Sequence, residues 1–259
     1  MTEPLTVIDT FSGIGGFSYA AEKLVGGFKT VAFVECEPYC QKVLKKHWPD
    51  VPIYDDIKAY NPEPYSADVV CGGFPCQSIS NAGKREGITE TSQSGLWYEL
   101  HRVICLLQPR YIVLENVSAI LSNGLGIVLG NLAEAGYCCE WCCIPASYVG
   151  ACHQRDRWWL IAYPMFKGLQ GLRGKHELQK SSRERTFTWR NGGITLEQDW
   201  KRYISKPTIC RGDDGVPNWI YRNSRIKALG NSIVPQVAVI PLQRVKELSS
   251  LQIVTTHTH

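Results

Sequence analysis

The chain has 259 residues, of which 44% are hydrophobic and 20% charged, a composition typical of a globular protein with one large domain or one large and one small domain. This mixture excludes collagen-like, coiled-coil and disordered classes. No apolar run approaches the roughly 20 residues of a membrane helix, and the first residues lack a basic-then-apolar signal pattern. We therefore expect a cytoplasmic protein with no membrane partner.

The first part of the chain, up to about residue 162, alternates predicted strands and helices. Short apolar runs predict strands at residues 5–9, 30–35, 67–71, 111–115, 137–144 and 158–162. Apolar residues at helical spacing predict helices at residues 16–24, 38–47, 95–107 and 125–135. Because most of the strand runs are uninterrupted, we expect helices on both faces of a doubly wound, mostly parallel α/β sheet.

The composition changes at Pro164. Residues 164–224 carry twelve Lys or Arg against six Asp or Glu, whereas the rest of the chain carries sixteen against eighteen. Trp and Tyr side chains are interleaved with these charges, so the segment fits a surface that binds along a row of phosphates. A solvated face that binds nothing would have the same charge. We therefore predict a smaller domain at 164–224 and a larger one formed by 1–163 and 225–259.

Near the end of the chain the helical pattern returns. Asn231 or Ser232 could cap a helix that is predicted to run to about Leu248. Pro235 suits the first turn of that helix, and we expect Pro241 to kink it.

The eleven cysteines do not form the pattern of a disulfide framework. Their densest cluster, at positions 138, 139, 142 and 143, suits zinc by residue type. No second Cys or His pair stands at a suitable spacing, and in a strand these side chains point to alternate faces. We therefore expect thiols in a reducing compartment and no metal.

A glycine-rich turn follows the first predicted strand, with Phe11, Gly13 and Gly15 in the run Asp-Thr-Phe-Ser-Gly-Ile-Gly-Gly. Glu35 ends the second predicted strand, where an acid accepts hydrogen bonds from ribose hydroxyls. The pattern indicates a nucleotide-like cofactor, with NAD as the default. However, the spacing Gly-x-Gly-Gly departs from the dinucleotide fingerprint, and a tight turn without a ligand is the alternative.

Three further groups of polar residues lie beside predicted strands. Cys76 follows the third strand in Gly-Gly-Phe-Pro-Cys-Gln, Glu115 ends the fourth, and Arg155 and Arg157 stand just before the last. Open α/β sheets bind ligands at the carboxyl ends of their strands, and a cysteine placed there is a candidate nucleophile. Taken singly, these residues could be a turn cysteine, a strand-end acid and a surface charge run.

Together the motifs resemble the cytosine-5 DNA methyltransferase family of bacterial or phage type. They run in the family's order and cover most of residues 5–162 and 225–240. The matching segments are Phe11–Gly16, Glu35, Asp56–Ile57, Gly73–Gln77, Glu115–Val117, Arg155–Arg157 and Gly230–Ser232. Two positions depart from the family, because Cys36 replaces a common aromatic residue and His153 replaces a common Gln.

The resemblance implies a Rossmann-like, S-adenosylmethionine-dependent methyltransferase fold with a target-recognition domain at 164–224. It implies that Cys76 attacks carbon 6 of a flipped cytosine and that Glu115 acts at ring nitrogen 3. Arg155 and Arg157 would supply positive potential. Residues implied for S-adenosylmethionine are Phe11, Gly13, Gly15, Glu35, Asp56, Ile57, Asn231 and Ser232.

The resemblance also makes double-stranded DNA the expected partner. A restriction endonuclease that acts on the same site is a candidate second partner, as in a restriction–modification pair, and a phage or stand-alone system is the other setting. A monomer is the default. Candidate DNA contacts are Ser80, Lys84 and Arg85 in a lid at 77–93, and Arg173, Arg183, Arg185 and Arg190 in the basic segment.

Three alternatives remain at this stage. A tRNA-directed member of the family usually carries Cys-Phe-Thr in the recognition region, where this chain has Thr186-Phe187-Thr188. A non-catalytic DNA-binding relative should have lost the Pro-Cys or Glu-Asn-Val motif, and both are intact. An NAD oxidoreductase that shares only the fold leaves Cys76 and the basic segment unexplained.

Overall fold

A computed structural model describes residues 3–75, 95–164 and 228–256 of the protein. The strands are β1 (Leu5–Thr10), β2 (Phe28–Val34), β3 (Ile53–Tyr54), β4 (Val69–Gly72), β5 (Tyr111–Val117), β6 (Tyr137–Pro145) and β7 (Asp156–Pro164). The helices are α1 (Gly16–Tyr19, continued by a π-helical turn over Ala20–Val25), α2 (Pro38–His47), α3 (Leu96–Leu107), α4 (Ile120–Asn123), α5 (Leu125–Glu134) and α6 (Pro235–Thr256).

The strands form one sheet in the order β3-β2-β1-β4-β5-β7-β6. The first five strands of this order pair in parallel, whereas β7 runs antiparallel to both β5 and β6. From β1 the chain first builds the sheet outwards through β2 and β3, and it then returns to add β4 on the other side of β1. This reversal makes the pair β1–β4 the topological switch point, next to which open α/β sheets bind their ligands.

Helices cover both faces of the sheet. Trp97 and Leu100 of α3 and Leu132 of α5 pack with one set of strand residues, which includes Ile8 and Leu114. On the opposite face, α1, its π-helical continuation and α6 pack against the alternate strand residues, among them Val7, Val113 and Trp159. Because most strands bury side chains on both faces, their sequences are largely apolar.

The structure confirms the doubly wound, mostly parallel fold and all six predicted strands, and α2 has its predicted bounds. The prediction missed β3, whose two residues are too short to produce a periodic signal. The prediction was wrong about the start of the last helix. Asn231 and Ser232 do not open α6, which begins at Pro235 and runs to Thr256 rather than to Leu248. The predicted recognition domain lies outside the described residues except for Pro164.

The clustered cysteines of β6 divide between the two faces of the sheet, as strand geometry requires. Cys139 and Cys143 pack against the core that contains α3, and Cys142 packs against the core that contains α6. Burial raises the pKa of Cys139 and of Cys142 to about 12. Within the described ranges, no three His, Cys, Asp or Glu side chains are arranged to hold a metal ion.

None of the helices within the described part of the chain combines the length and hydropathy needed to cross a membrane.

Gly72 of β4 lies opposite Thr10 of β1. A Cβ atom on Gly72 would stand 2.3 Å from Thr10 Oγ1, whose hydroxyl donates to the Cys71 carbonyl at 2.8 Å. We predict that Gly72→Ala lowers the free energy of unfolding by about 1–3 kcal/mol, because an overpacked core must shift. Gly130→Ala is the control, since nothing described lies within 4 Å of its Cβ position and alanine favours helix. Urea denaturation measures both variants, and equal stabilities would contradict the prediction.

Candidate active site

Those predicted site residues that the structure describes lie near one edge of the sheet. The carboxyl ends of parallel strands lie at the same edge, so the segments after β1, β2, β4 and β5 meet there. Since β7 is antiparallel, its first residues join the same edge, with Arg157 opposite Val117 and Trp159 opposite Glu115. Residues far apart in the sequence therefore come together around the switch point.

The turn after β1 has three residues with positive φ angles: Phe11 at 51°, Gly13 at 55° and Gly15 at 84°. A Cβ atom on Gly15 would stand 2.7 Å from the Trp48 ring, so glycine is needed there for both space and conformation. At Gly13, in contrast, no described atom lies within 4 Å of the Cβ position. The turn thus presents bare backbone to an open space.

Glu35 stands across from this turn. Its Oε2 accepts a hydrogen bond from the Gly13 N–H at 2.6 Å, and its Oε1 accepts one from the Glu37 N–H at 2.7 Å. The side-chain amide of Gln41 donates to the Glu35 carbonyl oxygen at 2.6 Å. Burial raises the pKa of Glu35, although the two N–H groups act in the opposite direction.

The turn and Glu35 fit a nucleoside with free hydroxyls. The Glu35 carboxylate accepts backbone N–H groups, among them those of Gly13 and Glu37, and its two oxygens offer about four acceptor positions, so a ribose hydroxyl can donate to it as well. The open backbone at Gly13 permits the close approach that a side chain would block. The donors and acceptors here therefore match the S-adenosylmethionine implied by the resemblance.

Asp9 lies beneath the turn and is fully buried. Its Oδ2 accepts hydrogen bonds from the Ser18 N–H at 3.2 Å and from the Ser18 hydroxyl at 2.7 Å. Burial raises its pKa to about 7, and the nearby carboxylates of Glu35 and Glu22 add to the effect. Asp9 therefore anchors the start of the first helix.

Glu115 and Arg157 form an ion pair, with Arg157 Nε 3.0 Å from Glu115 Oε1. The Glu115 side chain is only 12% exposed. Burial raises its pKa to about 7, although the cations of Arg157 and Arg155 act in the opposite direction. A Cβ atom on Gly73 would stand 3.0 Å from Glu115 Oε2, so this glycine lets the segment after β4 approach the carboxyl group closely.

Asn116 is a site residue to which no role was assigned from the sequence. Its buried side-chain amide donates to the Phe74 carbonyl at 3.2 Å, and its Oδ1 accepts the Val117 N–H at 2.8 Å. Asn116 therefore holds the backbone that leads through Pro75 to Cys76. Cys76 itself lies outside the described residues.

The structure gives Arg155 a contact that the sequence did not predict. Its Nη2 donates to the carbonyls of Gly230 at 3.0 Å and Ser232 at 2.8 Å. Beside this contact, Ile233 Cγ1 lies 2.7 Å from the Cβ position of Gly16. The segment before α6 is thus bound both to the start of β7 and to the turn after β1, which brings Asn231 and Ser232 back to the site edge.

Glu115, Arg155 and Arg157 line one small pocket with Trp159 and apolar residues of β6 and α6. Among the other predicted residues, Ile57 is buried, whereas Asp56 and Cys36 are exposed. The Glu35 N–H donates to the Tyr54 carbonyl at 2.8 Å, which links β2 to the segment that contains Asp56. Predicted DNA contacts that lie outside the described residues are Ser80, Lys84, Arg85, Arg173, Arg183, Arg185 and Arg190.

The sheet order and the glycine turn facing an acid define a Rossmann-like fold. A family model described as C-5 cytosine-specific DNA methylase matches residues 5–202. The chain belongs to this family of cytosine-specific DNA methylases.

Two curated methyltransferases are similar to this chain in sequence. The type II methyltransferase M.CviJI of Paramecium bursaria Chlorella virus IL3A is 33% identical over 221 residues, which cover 82% of this chain and 56% of that protein. M.MspI of a Moraxella species is 28% identical over 226 residues, covering 84% of this chain and 51% of that protein. The chain therefore spans about half the length of these relatives.

Solved structures support the fold. EhMeth, a methyltransferase of Entamoeba histolytica, superposes with a TM-score of 0.54 and 17% identity, over 64% of this chain and 54% of its own. A DNMT2 variant of Spodoptera frugiperda gives a TM-score of 0.51 and 20% identity, over 62% and 50% of the two chains. At these identities the likeness concerns the fold alone.

The raised pKa of Glu115 predicts a specific pH dependence of stability. Between its ordinary value of 4.5 and about 7, the folded chain holds a proton at Glu115 that the unfolded chain has released. Stability therefore falls as the pH rises through this window. We predict that Glu115→Gln makes the free energy of unfolding less dependent on pH between 5 and 7.5, measured by urea denaturation.

Two further variants complete this test. Glu134→Gln removes an exposed carboxylate of α5 and should keep the wild-type slope. Asp9→Asn should also flatten the slope, because burial raises the pKa of Asp9 in the same direction. A Glu115→Gln slope equal to that of the wild type would show that Glu115 ionises normally.

Proposed function

We propose that the chain is a DNA (cytosine-5-)-methyltransferase that uses S-adenosylmethionine to methylate a cytosine flipped out of duplex DNA. The observation that carries the proposal is the buried Glu115 carboxyl, which has a pKa of about 7 and pairs with Arg157 beside the segment that leads to Cys76. Addition to a pyrimidine ring requires a proton donor and a nucleophile, and Cys76 follows that segment in the sequence.

Carbon 5 of cytosine is a weak nucleophile, and a covalent step makes it reactive. The Cys76 thiolate attacks carbon 6 and forms an S–C bond, while the carbon 5–carbon 6 electron pair becomes available at carbon 5 and Glu115 protonates ring nitrogen 3. S-adenosylmethionine supplies the methyl group as an electrophile. Once carbon 5 carries the methyl group, loss of its proton and departure of the Cys76 sulfur restore the aromatic ring.

The environment of Glu115 suits this proton transfer. Burial raises the pKa of the carboxyl group and the cations of Arg157, at 3.0 Å, and Arg155 lower it, so that the pKa is about 7. Both protonation states are then populated near neutral pH, the condition under which one group can donate a proton and later recover it. Arg157 therefore acts through Glu115, while Arg155 binds the carbonyls of Gly230 and Ser232 and adds positive potential.

The residues proposed for the cofactor surround the turn after β1. Glu35 would accept the ribose hydroxyls, and Phe11, Gly13 and Gly15 would lie along the methionine part. Asp56 and Ile57 would bind the adenine. Asn231 and Ser232 would close the pocket from the segment that Arg155 holds.

DNA binding is proposed for parts of the chain outside the described residues. Residues 164–224, with their excess of positive charge, would form the target-recognition domain, and residues 77–93 would close over the flipped base. The relatives named above are type II methyltransferases. We therefore propose methylation within one short DNA sequence, with a restriction endonuclease of the same specificity as a candidate partner.

Methyl transfer from labelled S-adenosylmethionine to unmethylated DNA, followed by bisulfite sequencing, tests the proposal. We expect label on cytosines within one short recurring sequence. Label on a tRNA panel but not on duplex DNA would overturn the DNA assignment. Cofactor binding without transfer to either nucleic acid would overturn the enzymatic assignment.

The nucleophile is tested with DNA that carries 5-fluorocytosine in the methylated sequence. Fluorine cannot leave carbon 5 as a cation, so the covalent adduct should accumulate and survive denaturing electrophoresis. We predict that Cys76→Ala loses both this adduct and at least about a thousandfold in methyl transfer. Cys105→Ser, which changes an exposed thiol on α3, should retain both. An adduct formed by Cys76→Ala would exclude Cys76 as the nucleophile.

A further inference from the structure

Arg102 of α3 binds the turn at residues 57–61, which is neither helix nor strand. Its Nη2 donates to the carbonyls of Ile57 at 2.8 Å, Lys58 at 3.1 Å and Tyr60 at 3.1 Å. Its Nη1 donates to Asn61 Oδ1 at 2.6 Å. These four hydrogen bonds all go to residues 57–61, more than 40 positions earlier in the chain.

The turn at 57–61 begins at Asp56, whose carbonyl accepts the N–H groups of Ala59 and Tyr60 at 3.2 and 3.0 Å. Asp56 Oδ1 also accepts the Lys58 N–H at 2.9 Å. Three carbonyl oxygens of the turn converge on one guanidinium nitrogen, and without a cation these dipoles would face one another. Arg102 therefore stabilises a backbone shape that would otherwise be unfavourable.

Two other sets of contacts orient α3 and the turn relative to each other. Glu99 Oε2 accepts from Arg102 Nε at 2.9 Å, which fixes the guanidinium on the surface of α3. Ile57 and Tyr60 bury their side chains in the core that α3 also enters, and the Tyr60 and Tyr54 rings lie 4.6 Å apart. The buried side chains hold the turn against the core, and Arg102 determines the direction of its backbone.

We propose that Arg102 is a positioning residue for the adenine end of the cofactor pocket. It touches neither of the groups proposed to react, and it would act by holding the turn so that the exposed Asp56 and the backbone of Ile57 face the base. The inference rests on the proposed cofactor role of Asp56 and Ile57. It adds a residue of α3, remote in sequence from the cofactor motifs, to the determinants of cofactor affinity.

The test measures binding of S-adenosylmethionine to the full chain by calorimetry, without DNA. We expect Arg102→Met to raise Kd by about tenfold, a change typical of losing hydrogen bonds to a charged group. Arg102→Lys should recover part of the affinity, because an ammonium group keeps the charge but cannot span four acceptors. The matched control is Arg110→Met, since Arg110 pairs with Asp68 at 3.2 Å, away from the turn; it should bind like the wild type.

A second ligand and a double variant distinguish a positioning role of Arg102 from a general loss of structure in Arg102→Met. 5′-Methylthioadenosine keeps the adenine and the ribose but lacks the amino-acid part, so its Kd should rise by the same factor in Arg102→Met. In an Asp56→Ala background, Arg102→Met should raise Kd by a smaller factor than in the wild type, because one of the two contacts it supports is already gone. Equal Kd values for wild type and Arg102→Met, or additive losses in the double variant, would overturn the inference.

Failure of the proposed function gives a different result. If the wild-type chain binds neither S-adenosylmethionine nor 5′-methylthioadenosine, the cofactor assignment is wrong, and the role of Arg102 is excluded with it. If the wild type binds both and the Arg102 variants bind equally well, only the inference about Arg102 is wrong. In an active preparation, the cofactor KM should rise in Arg102→Lys while the DNA KM stays unchanged.

Discussion

The parallel pairing of β1 with β4 is the contact on which the site depends. Thr10 can lie against Gly72 only because the glycine has no side chain, and the Thr10 hydroxyl satisfies the Cys71 carbonyl at 2.8 Å. From this pair the chain leaves towards α1 on one face and α3 on the other, which opens a crevice between the two departing segments. The glycine turn lies on one side of the crevice and the segment leading to Cys76 begins on the other.

Three buried carboxyl groups along this edge share one physical property. Burial raises the pKa of Asp9, Glu35 and Glu115, and each is held by a different kind of partner: the Ser18 side chain and N–H, two backbone N–H groups, and the Arg157 guanidinium. Because the pKa values of Asp9 and Glu115 are about 7, these two carboxyl groups carry less negative charge near neutral pH than ordinary acids do. A less negative edge favours the approach of a polyanion such as DNA.

The segment before α6 returns to the edge of the sheet at which the site lies. The segment before α6 contacts the turn after β1 through Ile233 and the start of β7 through Arg155. Further along α6, Arg244 forms a two-point ion pair with Glu140 of β6, at 3.0 and 3.1 Å. Arg244 thus ties α6 to β6, while Arg155 and Ile233 keep the segment containing Asn231 and Ser232 beside the turn after β1.

The sequence by itself determined the fold class and the edge at which the chemistry gathers, because apolar runs mark the strands and polar motifs stand at their ends. The motifs also sufficed to assign the family. Only the tertiary structure decided the partner of each side chain. Arg157 pairs with Glu115, Arg155 binds the carbonyls of Gly230 and Ser232, and Arg102 binds a turn far away in the sequence. These contacts and the pKa values they produce depend on packing between distant segments, which neither spacing nor composition encodes.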